Sequence, residues 1–198
     1  AVTAAYGDNF PVLAKRKAEG LDLPLERLEQ LGILINYNGY GASVDDLHVH
    51  PAALYEHLVL HETPMDFLAS NPDIFSRLDE GYKEDFAGAK AAKIISEKET
   101  SLVLELPDAA GSRRVSGVYG NDLAQSFPDR AHAILTHKPG GYVVSVRAPL
   151  SRRSGADTLC LQFETGGGRS AAAGINHLPE GDVDRFIKAF QSQFAVTG

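Results

Sequence analysis

Gly166-Gly167-Gly168-Arg169-Ser170-Ala171-Ala172-Ala173-Gly174 constrains this chain more than any other stretch, because every residue in it except Arg169 is Gly, Ala or Ser. Such a run lets the backbone come very close to something else. Three successive glycines can take φ > 0 at no steric cost, so their N–H groups can converge into an anion-holding nest, to which Arg169 adds a fork of charged donors. The same composition suits a tightly turned loop, and the glycines alone leave both readings open.

At 198 residues, 43% hydrophobic and 23% charged, the chain has the balance of a soluble protein with one large or two small domains. No apolar run approaches the ~20 residues of a membrane span, so no membrane partner is expected. It opens at Ala1 with no secretory leader pattern, which suits a fragment. The single cysteine, Cys160, allows no internal disulfide and no cysteine metal framework, which fits a reducing, cytoplasmic setting. A net charge of −7 argues against nonspecific binding to duplex nucleic acid. Short anionic ligands remain open, because Arg113, Arg114, Arg147, Arg152, Arg153 and Arg169 all lie in the C-terminal half. The N-terminal half carries most of the acids, among them Asp45, Asp46, Glu80, Glu84 and Asp85.

The first ninety residues read as mainly helical. Thr63-Pro64 and Asn71-Pro72 pair a capping side chain with a proline where no N–H is needed. Helices are expected from Pro51 (Leu54, Leu58, His61), Pro64 (Met65, Phe67, Leu68) and Pro72 (Ile74, Phe75, Leu78), and from Leu25 to Leu34. The latter should end before a turn at Asn36-Tyr37-Asn38-Gly39-Tyr40-Gly41. Beyond about residue 95, short Val-, Tyr- and Leu-rich runs predict strands at Ser101 to Leu106, Arg114 to Tyr119, His132 to Thr136 and Tyr142 to Arg147. Pro139-Gly140-Gly141 suggests a hairpin between the last two, and Asp122 to Ser126 a short helix. Ala156 to Phe163 fits a strand or a buried helix, with helix preferred. Val183, Phe186, Ile187, Phe190 and Phe194 form the apolar stripe of a closing helix from about Glu180. The two domains expected are 1–90 and 91–198, with the boundary around Ala87 to Ala92.

This order, a strand ending in Val144-Ser145-Val146-Arg147, a helix, the glycine run, a strand and a terminal helix, resembles the DHHA1 substrate-binding domain that closes the DHH phosphoesterases. In that family the run reads Gly-Gly-Gly-His-x-x-Ala-Ala-Gly, and Arg169 stands here where the family has histidine. Arginine keeps the charge for phosphate but cannot exchange a proton. Upstream, Ala4-Ala5-Tyr6-Gly7-Asp8-Asn9-Phe10-Pro11 is similar to the family's fourth motif, in which a small-residue strand ends in an Asp that ligates a catalytic divalent metal. No Asp-His-His occurs in the chain.

The resemblance implies an α/β architecture: a helical end of a DHH catalytic domain plus connector, then a compact DHHA1-like domain with a mixed sheet. It implies the C-terminal portion of a metal-dependent phosphoesterase, with Asp8 as a metal ligand and Mn²⁺ or Mg²⁺ in the complete protein. Gly166, Gly167, Gly168, Arg169, Gly174, Arg147 and Asn121 would bind the substrate, with a turn or helix cap as the other role open to Asn121. That substrate would be a nucleotide, a short single-stranded oligonucleotide or another phosphorylated small molecule, and a homodimer is also left open. One carboxylate cannot assemble a two-metal site, so these residues alone are expected to be inactive. The alternative is a noncatalytic nucleotide- or nucleic-acid-binding module.

Other residue groups carry weaker signals. His57 and His61, four apart, with Asp45, Asp46, His48 and His50 upstream, have a metal-like spacing but no HExxH pattern. His177, after the glycine run, either faces a cleft or is packed. Cys160 reads as core, and Ser170 lacks a nucleophile elbow.

Overall fold

The computed structural model describes residues 1–195, which divide into two compact units between Phe86 and Ala87. No helix among the described residues is long and apolar enough to cross a membrane.

The first unit is helical: α1 (Val2–Gly7), α2 (Pro11–Ala18), α3 (Leu25–Tyr37), α4 (Pro51–Leu58), α5 (Pro64–Ser70) and α6 (Pro72–Lys90), the last running through the division. Proline occupies the first helical position of α2, α4, α5 and α6, where a missing N–H costs nothing. Thr63 and Asp66 form a reciprocal capping box at the start of α5: the Asp66 N–H donates to Thr63 Oγ1 and the Thr63 N–H to Asp66 Oδ2, both at 3.2 Å. Leu31, Leu34, Leu54, Phe67 and Leu78 are buried together. Two expectations fail here. Helix α3 runs on through Asn36 and Tyr37 because Tyr37 is fully buried, its hydroxyl bonded to Asp85 and to His48 Nε2. Helix α4 stops at Leu58, which leaves His61 outside it.

The second unit is one mixed six-stranded sheet in the order β1-β2-β3-β4-β6-β5. Its strands are β1 (Lys93–Lys98), β2 (Ser101–Leu106), β3 (Ala131–Lys138), β4 (Gly141–Arg147), β5 (Gly166–Arg169) and β6 (Ala172–Pro179). Only β2 and β3 pair in parallel, and parallel neighbours need a crossover, supplied by α7 (Ala110–Ser126). The strand expected at Arg114 to Tyr119 is therefore the middle of α7. Val115, Tyr119 and Leu123, four apart, are all buried, so helical spacing prevailed over the β-branched and aromatic content that had suggested a strand. The β3–β4 hairpin forms as read from Pro139-Gly140-Gly141.

Both faces of the sheet carry helices. Val103, Ala133, Val146, Ala173 and Ile175 join Leu159 and Cys160 of α8 (Ala156–Cys160) and Phe186 and Phe190 of α9 (Val183–Gln193) in one core. Helix α7 covers β3 and β4 on the other face, the side of Ile134 and Arg147, both of which lie beside Gly120.

Candidate functional site

The glycine run is no free loop. It is the edge strand β5, a two-residue turn at Ser170-Ala171, and the start of β6. The Asn176 N–H donates to the Thr165 carbonyl, which sets the phase of the antiparallel ladder. Counting on by twos makes Gly167/Gly174 and Arg169/Ala172 the pairs that exchange hydrogen bonds. The Gly166 N–H donates to the Phe163 carbonyl. Three of the four amides expected to form an anion nest are thus used within the fold, and only the Gly168 N–H faces the outer edge. The nest is corrected to a β-hairpin.

Packing explains most of the glycines. A Cβ at Gly166 would sit 1.8 Å from the Cys160 carbonyl oxygen, and one at Gly174 2.7 Å from that of Val144. Gly168 has φ +141°, and its Cβ would lie 2.5 Å from Ala173 Cα. Gly167 differs, since a Cβ there would meet nothing within 4 Å. Its open side is the face that carries Arg147 and Arg169.

Strand register places those two arginines in one line across the sheet. His132 pairs with Arg147, Arg147 with Ala172, and Ala172 with Arg169. Directly paired residues point to the same face, so two guanidinium-bearing positions flank a single methyl group, their Cα atoms about 10 Å apart at two strand spacings. Next to this line runs a second one, Ser145, Gly174 and Gly167, with no bulky side chain. Ala172, Gly174 and Gly167 are partly exposed and Arg169 is exposed.

The two arginines do different things. Arg147 is anchored: Nε donates to Asn121 Oδ1 at 2.8 Å, Nη1 to Ser145 Oγ at 2.9 Å and to the Val146 carbonyl, and Nη2 to the Gly117 carbonyl at 3.2 Å. Arg147 and Asn121 are therefore brought together, with Asn121 holding the guanidinium from α7. The side chain of Arg169 has no hydrogen bond or ion pair among the described residues, and its guanidinium is available to an incoming anion.

Sequence reading missed His132 in the same line. It is 1% exposed, and neither ring nitrogen has a hydrogen-bond partner. Burial first, and the Arg130 charge second, push its pKa down to about 4, so the imidazole is neutral. Nothing in the local sequence distinguishes it from an exposed histidine.

Asp8 is placed otherwise than the family pattern suggested. Val2–Gly7 is a helix, and Asp8 is its C-terminal cap, exposed, with its N–H on the Ala4 carbonyl. Small residues without alternation favour a helix, and α1 can approach α3 closely because both Gly7 and Gly32 lack a Cβ. Among the described residues no three His, Cys, Asp or Glu side chains gather to hold a metal, so the groups present do not make a divalent-metal site. His48 is engaged with Tyr37 and Asp85, His50 caps α4, and His61 pairs with Asn71. His177 lines a cavity of about 200 Å³ with Phe163, Thr165 and Arg185. Cys160 is buried, and its thiol is pushed up to about 12 by that burial and by Asp157.

No protein-family model matches the chain, and no curated protein matches it in sequence. Solved structures do match. A DHH domain from a member of a family of ribosomal proteins superposes with a TM-score of 0.62 at 15% identity, over 97% of this chain and 48% of that one. A pGpG-specific phosphodiesterase from Vibrio cholerae gives 0.59 at 16%, over 94% of this chain and 67% of that one. Exonuclease RecJ bound to manganese gives 0.59 at 16%, over 98% and 46%. The chain spans about half the length of the first of these structures. At these identities the likeness is one of fold: the chain has the α/β fold of the DHH-domain proteins, with a mixed sheet like that of DHHA1.

Proposed function

We propose that this chain is the C-terminal part of a divalent-metal phosphoesterase, and that its second unit binds the phosphorylated substrate. The observation that carries the reading is the line Arg147–Ala172–Arg169, two cationic positions on a partly exposed sheet face whose floor is Gly167, Gly174 and Ser145. Arg147 acts as a fixed positive charge, pre-oriented by Asn121 and Ser145, and Arg169 supplies free donors to phosphate oxygens. A flat floor without bulky side chains lets a nucleotide lie close to the backbone. Holding the phosphate still is the contribution to rate, because a fixed scissile group needs no further ordering at the moment of attack. A Mn²⁺ or Mg²⁺ ion would supply the activated water, with Asp8 as at most one of its ligands and the others contributed by residues beyond these 198. The nucleotide and short-oligonucleotide substrate class is taken from the structural neighbours that act as nuclease and pGpG phosphodiesterase.

The test is hydrolysis of pGpG and of short 5′-phosphorylated oligonucleotides by the full-length protein with Mn²⁺, compared with the 198-residue chain. Turnover by the full-length protein that falls at least tenfold in Arg169→Ala supports the reading. Turnover untouched by Arg169→Ala removes this face from the substrate site. A full-length protein that binds pGpG without hydrolysing it leaves the noncatalytic module as the reading.

A further inference from the structure

We infer that Asp157 is a positioning residue for Arg169, acting through Ser170, an assignment that rests on the anion-binding role of Arg169 proposed above. The need for such a residue follows from the sequence of β5. An edge strand of four residues, three of them glycine, has little side-chain packing of its own and no strand on its outer side. Left to itself, it would not hold the arginine at its end in one direction. The turn that follows is fixed from three sides. The Ser170 hydroxyl donates to Asp157 Oδ2 at 2.9 Å, the Ala156 N–H donates to the Ser170 carbonyl at 3.0 Å, and the Ala148 N–H to the Ala171 carbonyl at 3.0 Å. Asp157 is itself fixed, because its Oδ1 accepts the Thr158 N–H at 2.8 Å in the first turn of α8. Its carboxyl is held below the usual aspartate range, first by the Ser170 hydroxyl and then by the Thr158 N–H, as a carboxylate that accepts both would be.

Of these three bonds, two are made by main-chain groups that any sequence would offer. The third is the one specified by side chains, and it joins the residue next to Arg169 to the helix that follows β4. Asp157 thus sets where the Arg169 side chain leaves the sheet without touching the ligand. Its negative charge is not required for this; an acceptor oxygen facing the Ser170 hydroxyl is.

The experiment uses the ¹⁵N-labelled 198-residue chain titrated with inorganic pyrophosphate, read from the Arg169 Nε–H and the Gly167 and Gly168 amides by NMR. Arg169→Ala and Asp157→Ala should each weaken pyrophosphate binding about tenfold, and the double variant should be no weaker than either alone, as for residues that act as one unit. Asp157→Asn keeps an acceptor for Ser170 and should bind within about twofold of the unsubstituted chain. Ser170→Ala removes the same bond and leaves the carboxylate in place; it should reproduce the loss, and it serves where Asp157→Ala disturbs α8. Normal binding in Ser170→Ala together with weakened binding in Arg169→Ala overturns the positioning role and leaves the site standing. Normal binding in Arg169→Ala overturns the site itself. Additive losses in the double variant also count against Asp157 acting through Arg169.

Discussion

His132 and Arg147 are directly paired across β3 and β4, and both imidazole nitrogens of His132 are buried without a hydrogen bond. A protonated imidazole has no acceptor there and would add a second positive charge to the one on Arg130.

The consequence is a sensitivity to acid. The folded-state pKa of His132 is about 4 against an ordinary value of 6.5, so the unfolded chain takes up the proton first as pH falls. Stability is intact above pH 6.5 and is lost progressively between pH 6.5 and 4, by about 3 kcal/mol at 1.36 kcal/mol per unit over the 2.5 units between those values. Thermal midpoints of the chain and of His132→Leu, followed from pH 7 to 4, check this. The variant should lose markedly less on acidification, whereas Glu105 and Asp157, both lowered carboxylates, contribute equally to both chains at lower pH. Parallel curves would clear His132.

Arg147 and Arg169 look alike in sequence, yet they should separate on mutation. Arg147→Ala strips the bonds to Asn121, Ser145, Val146 and Gly117 and leaves Asn121, Ser145 and the Gly117 carbonyl short of a partner, a loss of about 2 kcal/mol or more. Arg169→Ala removes a side chain with no intramolecular partner among the described residues, and its effect on stability should stay within about 0.5 kcal/mol. Urea denaturation of the two variants gives the comparison, and equal losses would mean that Arg169 is held by the fold after all.

The glycines divide in the same way. Gly166→Ala would drive a methyl group into the Cys160 carbonyl, 1.8 Å away, and should cost about 3 kcal/mol or prevent folding of the second unit. Gly167→Ala enters open space and should leave stability within about 0.5 kcal/mol, while it raises the floor on which a ligand would lie. The measurement is the melting temperature of each, paired with a pyrophosphate titration of the second. A folded, stable Gly166→Ala would contradict the contact with α8.

What sequence could and could not disclose follows the range of the forces involved. Proline and capping signals act within one turn, so the starts of α4, α5 and α6 were legible from Pro51, Thr63-Pro64 and Asn71-Pro72. The stripe from Phe186 to Phe194 was legible because its period is local too. Arg114 to Tyr119 misled because its β-branched and aromatic content resembles a strand, and what decides it is the parallel pairing of β2 with β3, set by residues far apart in the chain. Gly166 to Gly168 drew attention for a sound reason, a close approach of backbone, but the approach is to Cys160 and Ala173. His132 was invisible because its burial is imposed by neighbours on other strands and by α7. Arg147 and Asn121 were picked separately, and only the pairing of α7 with β4 shows that one holds the other.

Cys160 gives a direct probe of that close approach. Its thiol is buried in the core beneath β5 and β6, and its pKa is pushed up to about 12, so at pH 8 the thiolate that reacts with alkylating or disulfide reagents is almost absent in the fold. In the unfolded chain the ordinary thiol is a few tenths of a unit from half ionised. Native protein should therefore react with a thiol reagent at pH 8 at least about a hundredfold more slowly than protein in urea, since reaction waits for opening of the second unit. Because Gly166 rests on the Cys160 carbonyl, Gly166→Ala should remove most of that protection, and Gly167→Ala should keep it. Fast labelling of the unsubstituted chain, or equal labelling of the two variants, would show that β5 does not seal this part of the core.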